Sequence, residues 1–132
     1  MHACFRHLCG AGYASVVMIG TDVPHVRDAW IAEAETGLDE ADVVLGPSAD
    51  GGYFLVAMRA PHDVFTGVVL STPHVLRDTQ RVIAASGLRL HLLAPSFDVD
   101  EAADVERLRS ELRAPELQGR LPATGAWLDT HD

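Results

Sequence analysis

The 132-residue chain is short of several things, and each shortage excludes a class of protein. It has two cysteines, Cys4 and Cys9. Five positions apart on a helix, they point in different directions, so a disulfide framework is not expected and a reducing cytoplasm is. His2 and His7 lie nearby, but no Cys-x-x-Cys or His-x-x-x-His spacing makes a metal site of this stretch. Positive charge is scarce: Lys plus Arg total 10 against 19 Asp plus Glu, a net charge of -9. Nucleic acid and anionic membrane both demand positive surface, so neither is expected as a partner. No apolar run is long enough to span a bilayer, and no charged start leads into a sustained apolar stretch as in a signal peptide. No Gly-rich loop follows an early strand, so the usual phosphate cradle is missing. None of this excludes a phosphorylated ligand, because a divalent cation can sit between carboxylates and phosphates.

Apolar residues make up 48% and charged residues 22%, the balance of one ordinary globular domain. Ser15 to Ile19 (SVVMI) reads as a buried strand. Pro24 then opens a helical pattern that Gly37 stops, with Val26, Trp30, Ile31 and Ala34 near one face. Asp42 to Leu45 and Tyr53 to Met58 are the second and third strands, joined by a turn around Gly51-Gly52. A short helix is predicted at His62 to Phe65. Thr72-Pro73 reads as an N-cap and first helical position, with Val75, Leu76, Thr79, Val82 and Ile83 inward and Gly87 at the end. Leu88 to Leu93 is a fourth strand. Asp100 to Leu112 is a last helix, acidic in its first turn. From Ala114 onward the tail is expected to be irregular, with Trp127 and Leu128 as anchors, so the chain divides at 1–113 and 114–132. Strands alternating with helices give an α/β class with a mostly parallel sheet. Beginning on a helix that leads into a strand, the chain reads as if it starts inside a domain.

Three acidic loops sit at or beside the ends of apolar strands, the edge where open α/β sheets gather function. In Gly20-Thr21-Asp22-Val23-Pro24, Asp22 either binds a divalent ion or caps the helix expected at Pro24. In the Gly46 to Tyr53 loop, two glycines allow a ligand to approach closely and Asp50 is a contact, or the loop is a plain Asp-Gly turn. In Phe97-Asp98-Val99-Asp100-Glu101, Asp98 and Asp100 share a side if extended, and Asp100 is also a natural helix cap. His25, close to Asp22, is a further phosphate contact or a bystander. His62, His74 and His91 read as surface residues.

GTDVP, DVVLGPSADGGYFLVAM, VFTGVVLSTPHVLRDT and LLAPSFDVDEAADVERL, in that order between Met1 and Leu112, resemble successive motifs of the DUF2064 family. Its members look like GT-A-fold glycosyltransferases or nucleotidyltransferases, related in fold to the molybdenum-cofactor and phospholactate nucleotidyltransferases. The resemblance implies a partial GT-A-like three-layer α/β/α fold and a Mg²⁺ or Mn²⁺ ion. Asp22 falls at the metal-binding aspartate, with Asp98 a second ligand. Thr21, Asp50, Gly51, Gly52 and Tyr53 fall at the substrate, with Asp22 and Asp50 catalytic. The implied activity is glycosyl transfer from a nucleotide sugar. The alternatives are nucleotidyl transfer on the same fold, or a non-catalytic remnant acting by association. The family's N-terminal half-sheet, with its Lys- and Arg-bearing nucleotide loop, has no counterpart here. A strand edge is therefore expected to lie open, inviting a second copy or a partner that completes the sheet.

Overall fold

A computed structural model describes residues 1–130. The element order is α1 (His2–Gly10), β1 (Val16–Ile19), α2 (Asp28–Gly37), β2 (Val43–Pro47), β3 (Tyr53–Met58), α3 (Val75–Ala85), β4 (Leu90–Leu92), α4 (Ala102–Glu111) and α5 (Pro122–Thr130). The four strands form one sheet in the order β1-β3-β2-β4. β1, β2 and β4 run one way, as a mostly parallel sheet requires. β3 runs against both β1 and β2, which makes two of the three ladders antiparallel. The cause is local: the short 48–52 loop between β2 and β3 can join only antiparallel neighbours, since a parallel return needs a crossover of about a dozen residues.

The sheet is the middle of three layers. On one face Phe5 of α1 and Ile83 of α3 pack with Val43, Leu45, Val56 and Met58. On the other, Ala34 of α2 and Leu38 pack with Val44, Leu55 and Ala57. Alternate β2 residues thus serve opposite faces, and β2 and most of β3 are fully buried, which explains their unbroken apolar sequence. β1 and β4 are the sheet's edges, and β1 (VVMI) carries no charge or proline to blunt pairing. At the start of the β2–β4 ladder, Asp42 accepts hydrogen bonds from the Arg89 backbone N–H at 2.8 Å and its guanidinium at 3.0 Å. These bonds hold the Asp42 carboxyl down at about 2.

Several expected boundaries move. The helix predicted from Pro24 starts at Asp28, with Arg27 as N-cap, because residues 21–25 form turns that send Val23 and His25 into the core. No helix forms at His62 to Phe65. There Asp63 instead accepts from the Phe65 and Thr66 backbone N–H groups at 3.2 and 3.1 Å, an Asx turn. α3 is capped by His74, not Thr72, whose hydroxyl donates to Val69 O at 3.2 Å. α4 is capped by Glu101, not Asp100. Asp104 accepts from the Glu101 N–H at 2.9 Å. The tail holds a helix, α5, whose Leu128 is buried with Phe97 and Leu108, whereas Trp127 is 52% exposed. Cys4 and Cys9 are unpaired, as expected. Among the described residues, no helix is long and apolar enough to cross a membrane.

Candidate functional site

The three acidic loops follow the C-terminal ends of the three strands that run the same way: Gly20–Asp22 after β1, Ser48–Gly52 after β2 and Ser96–Asp100 after β4. Shared strand direction therefore brings together residues up to 80 positions apart in sequence. Hydrogen bonds then fix the loops to one another. The Val99 N–H donates to Asp22 O at 2.9 Å, tying the first acidic loop to the third. Ser96 N–H donates to Pro47 O at 2.9 Å and Ala49 N–H to Ser96 O at 3.0 Å, tying the second to the third. The Ser48 hydroxyl donates to Asp98 Oδ2 at 2.7 Å and aims that carboxylate.

Beneath these loops lies His25, fully buried and stacked on Phe97 at 4.1 Å between ring centroids. Its Nε2 is 3.0 Å from Ser96 Oγ, and Trp30 meets it edge-on. The Arg107 guanidinium lies 3.9 Å over the Phe97 ring centre. His25 is thus neither a surface phosphate contact nor a bystander. It packs the floor on which the first and third loops rest, and burial pushes its imidazole below the ordinary range.

Each predicted site residue has a definite place. Thr21 and Asp22 are exposed at the end of β1. Asp22 does not cap a helix, because α2 starts six residues later. Asp50 Oδ1 accepts from the Gly52 N–H at 2.8 Å, so this carboxylate builds its own turn while lining two clefts. Gly51 has φ +91, and the backbone it presses against is that of Pro73. A Cβ at Gly52 would meet only the Asp50 carboxylate, 3.1 Å away. Tyr53 is half-buried, and burial pushes its phenol upward against the opposing influence of Thr79. Its ring lines the clefts while its hydroxyl turns into the core. Ser48 and Ser96, and the supporting role of His25, are what the sequence did not reveal, because each acts through a side-chain hydrogen bond to a partner 50 or more positions away.

The edge is strongly acidic. Burial raises the Asp98 carboxyl above its ordinary range, the Ser48 hydrogen bond opposes that rise, and the charges of Asp22, Asp50 and Asp100 add to it. The clefts here are lined by Asp50, Asp98, Asp100, Glu101 and Asp104 and by no basic side chain. Among the described residues, no three His, Cys, Asp or Glu side chains are grouped so as to hold a metal ion by themselves.

An ionised Asp98 is held against its own preference, which gives a test. A carboxyl whose folded pKa is raised lends stability below the ordinary aspartate range of about 4, and that stability is lost as pH rises through the raised value. Asp98→Asn, which keeps an acceptor for Ser48, is expected to raise the melting temperature at neutral pH by on the order of 2 °C. The gain should shrink toward zero below about pH 4. A variant less stable than the parent at neutral pH would show that the charge is not strained.

The family described as "Uncharacterized protein conserved in bacteria (DUF2064)" matches residues 1–72, more than half of the chain. No curated protein matches. The crystal structure of a "putative nucleotide-diphospho-sugar transferase" from Desulfovibrio desulfuricans G20 superposes with a TM-score of 0.82 at 28% sequence identity. The superposition covers 100% of this chain and 58% of that one. The chain has that protein's fold throughout and spans little more than half of its length.

Proposed function

This chain belongs to the DUF2064 family, and we propose that it forms the metal- and acceptor-binding part of a transferase acting on a nucleotide-activated donor, most simply a nucleotide sugar. The observation that carries this reading is the meeting of Asp22, Asp50 and Asp98 at one sheet edge: Asp50 and Asp98 line clefts without a basic side chain, and the exposed Asp22 is near enough for its charge to act on Asp98. A diphosphate would be repelled there unless a cation came with it. The likeness to a protein bearing a nucleotide-diphospho-sugar transferase name points the same way.

Asp22 and Asp98 are the residues that would hold Mg²⁺ or Mn²⁺, whose chemistry is to neutralise charge on the departing diphosphate. Ser48 holds Asp98 in place, and the Val99–Asp22 backbone bond sets the spacing of the two loops. The acceptor hydroxyl oxygen bonds to the anomeric carbon of the donor. The bond from that carbon to the diphosphate oxygen breaks, and its electron pair leaves on the nucleoside diphosphate. The hydroxyl proton passes to a carboxylate, for which Asp50 is the candidate: its Oδ1 is fixed by Gly52 N–H and it lines the cleft beside Tyr53. Nucleotidyl transfer would use the same groups around an α-phosphate.

Isothermal titration with a panel of nucleotide sugars, with Mn²⁺ and then with chelator, tests this reading. We expect at least one donor to bind about tenfold more tightly when Mn²⁺ is present. Equal donor affinity with and without the ion, or no binding of Mn²⁺ itself, would leave the transferase reading without support.

A further inference from the structure

Resting on the transferase reading above, we propose that the acceptor is a neutral, soluble small molecule whose hydroxyl is carried beside an apolar segment, received by a wall formed from Leu70 and Ser71.

The segment before α3 is pressed onto the Asp50–Gly52 turn. Gly51 abuts the Pro73 backbone, and the Leu76 N–H donates to Gly51 O at 2.9 Å. Between φ +84 at Gly67 and φ +59 at Ser71, the chain is bent over this end of the sheet. A left-handed serine is uncommon and persists only where its surroundings impose it. Leu70 and Ser71 line a cleft of ≈ 220 Å³ together with Asp50 and Asp98, and Met1, Tyr53 and Val75 complete its apolar lining.

The cleft is therefore two-sided in chemistry. Asp50, which the proposed cation does not engage, accepts hydrogen bonds and donates none when ionised, so it suits a hydroxyl and repels an anionic acceptor. The cleft's other side is aliphatic and aromatic, and at its rim Val69 and Leu70 stand in water at 68% and 54% exposure. Among the described residues these two side chains are left largely uncovered, and an apolar group lying on Leu70 would remove that surface from water. The net charge of -9 opposes approach to an anionic lipid surface, which favours a soluble occupant over a membrane lipid.

Octyl β-D-glucoside, kept below its critical micelle concentration, and methyl β-D-glucoside are probes that share a hydroxyl face and differ in the apolar segment. Titrated into the chain by NMR, the octyl compound is expected to bind about tenfold more tightly and to shift amides of residues 50–53 and 69–76. Leu70→Ser, uncharged and at an exposed position, should fold normally, keep the parent's Mn²⁺ affinity and reduce the octyl compound to the affinity of the methyl one. Leu70→Met should keep the preference. Equal binding of the two probes, or an octyl preference that survives Leu70→Ser, overturns the acceptor assignment alone. Absence of Mn²⁺ binding by the unmodified chain overturns the transferase reading beneath it.

Discussion

Asp22→Ala is expected to lower Mn²⁺ affinity by about 100-fold or more, the upper end of what even supporting residues cost a metal site, while the protein melts within about 2 °C of the parent. The two halves of that expectation have separate causes. Asp22 is exposed, α2 begins six residues beyond it, and its hydrogen bond to Val99 comes from the backbone carbonyl, which alanine keeps. Little of the fold therefore depends on its carboxylate. The cation site, by contrast, would lose one of two protein charges. Asp22→Asn retains the shape and loses the charge, so its Mn²⁺ affinity should fall nearly as far. Calorimetric titration beside a melting curve reads both quantities. A folded Asp22→Ala protein that binds Mn²⁺ like the parent would remove Asp22 from the site.

Gly51→Ala should destabilise the fold by about 2–4 kcal/mol, and Gly52→Ala by less than about 1 kcal/mol. From the sequence, both glycines are expected to be needed for backbone geometry. The structure separates them. At Gly51, φ is +91 and an added Cβ would run into the Pro73 carbonyl, which is backbone at the threshold of α3 and has little room to retreat. At Gly52 the φ is ordinary and the only close neighbour is the movable Asp50 carboxylate. For a domain of this size the difference amounts to roughly 10 °C in melting temperature. Equal melting of the two variants would mean that the turn and the segment before α3 are not packed as described.

How much could be read in advance depended on how local each cause is. YFLVAM was legible to the residue because a strand buried on both faces must be apolar throughout. The acidic loops were legible because a carboxylate following an apolar run stands out in any register. The start of α2 was not legible: Pro24 carries the local signal of a first helical turn, but burying His25 between Phe97 and Trp30 holds residues 21–25 in turns. That partnership spans more than 70 positions and leaves no local mark. α5 is not legible in the sequence because Gly125 and Pro122 look like breakers, although proline at the first position of a helix is well placed. Ser48 and Ser96 are ordinary loop serines until the sheet brings their loops together.

In the proposed function the cation belongs at the C-terminal edge of β1, β2 and β4. The opposite end of the sheet offers a rival: a larger cleft of ≈ 510 Å³ lined by Glu33, Asp39, Glu40, Arg89 and His91, also rich in acid. Substoichiometric Mn²⁺ added to ¹⁵N-labelled protein distinguishes them, because the paramagnetic ion broadens amide signals near it. Broadening centred on residues 20–23, 48–52 and 97–100, and abolished by Asp22→Ala, is the predicted result. Broadening centred on residues 33–41 and 89–91, or spread evenly over the acidic surface, would contradict it.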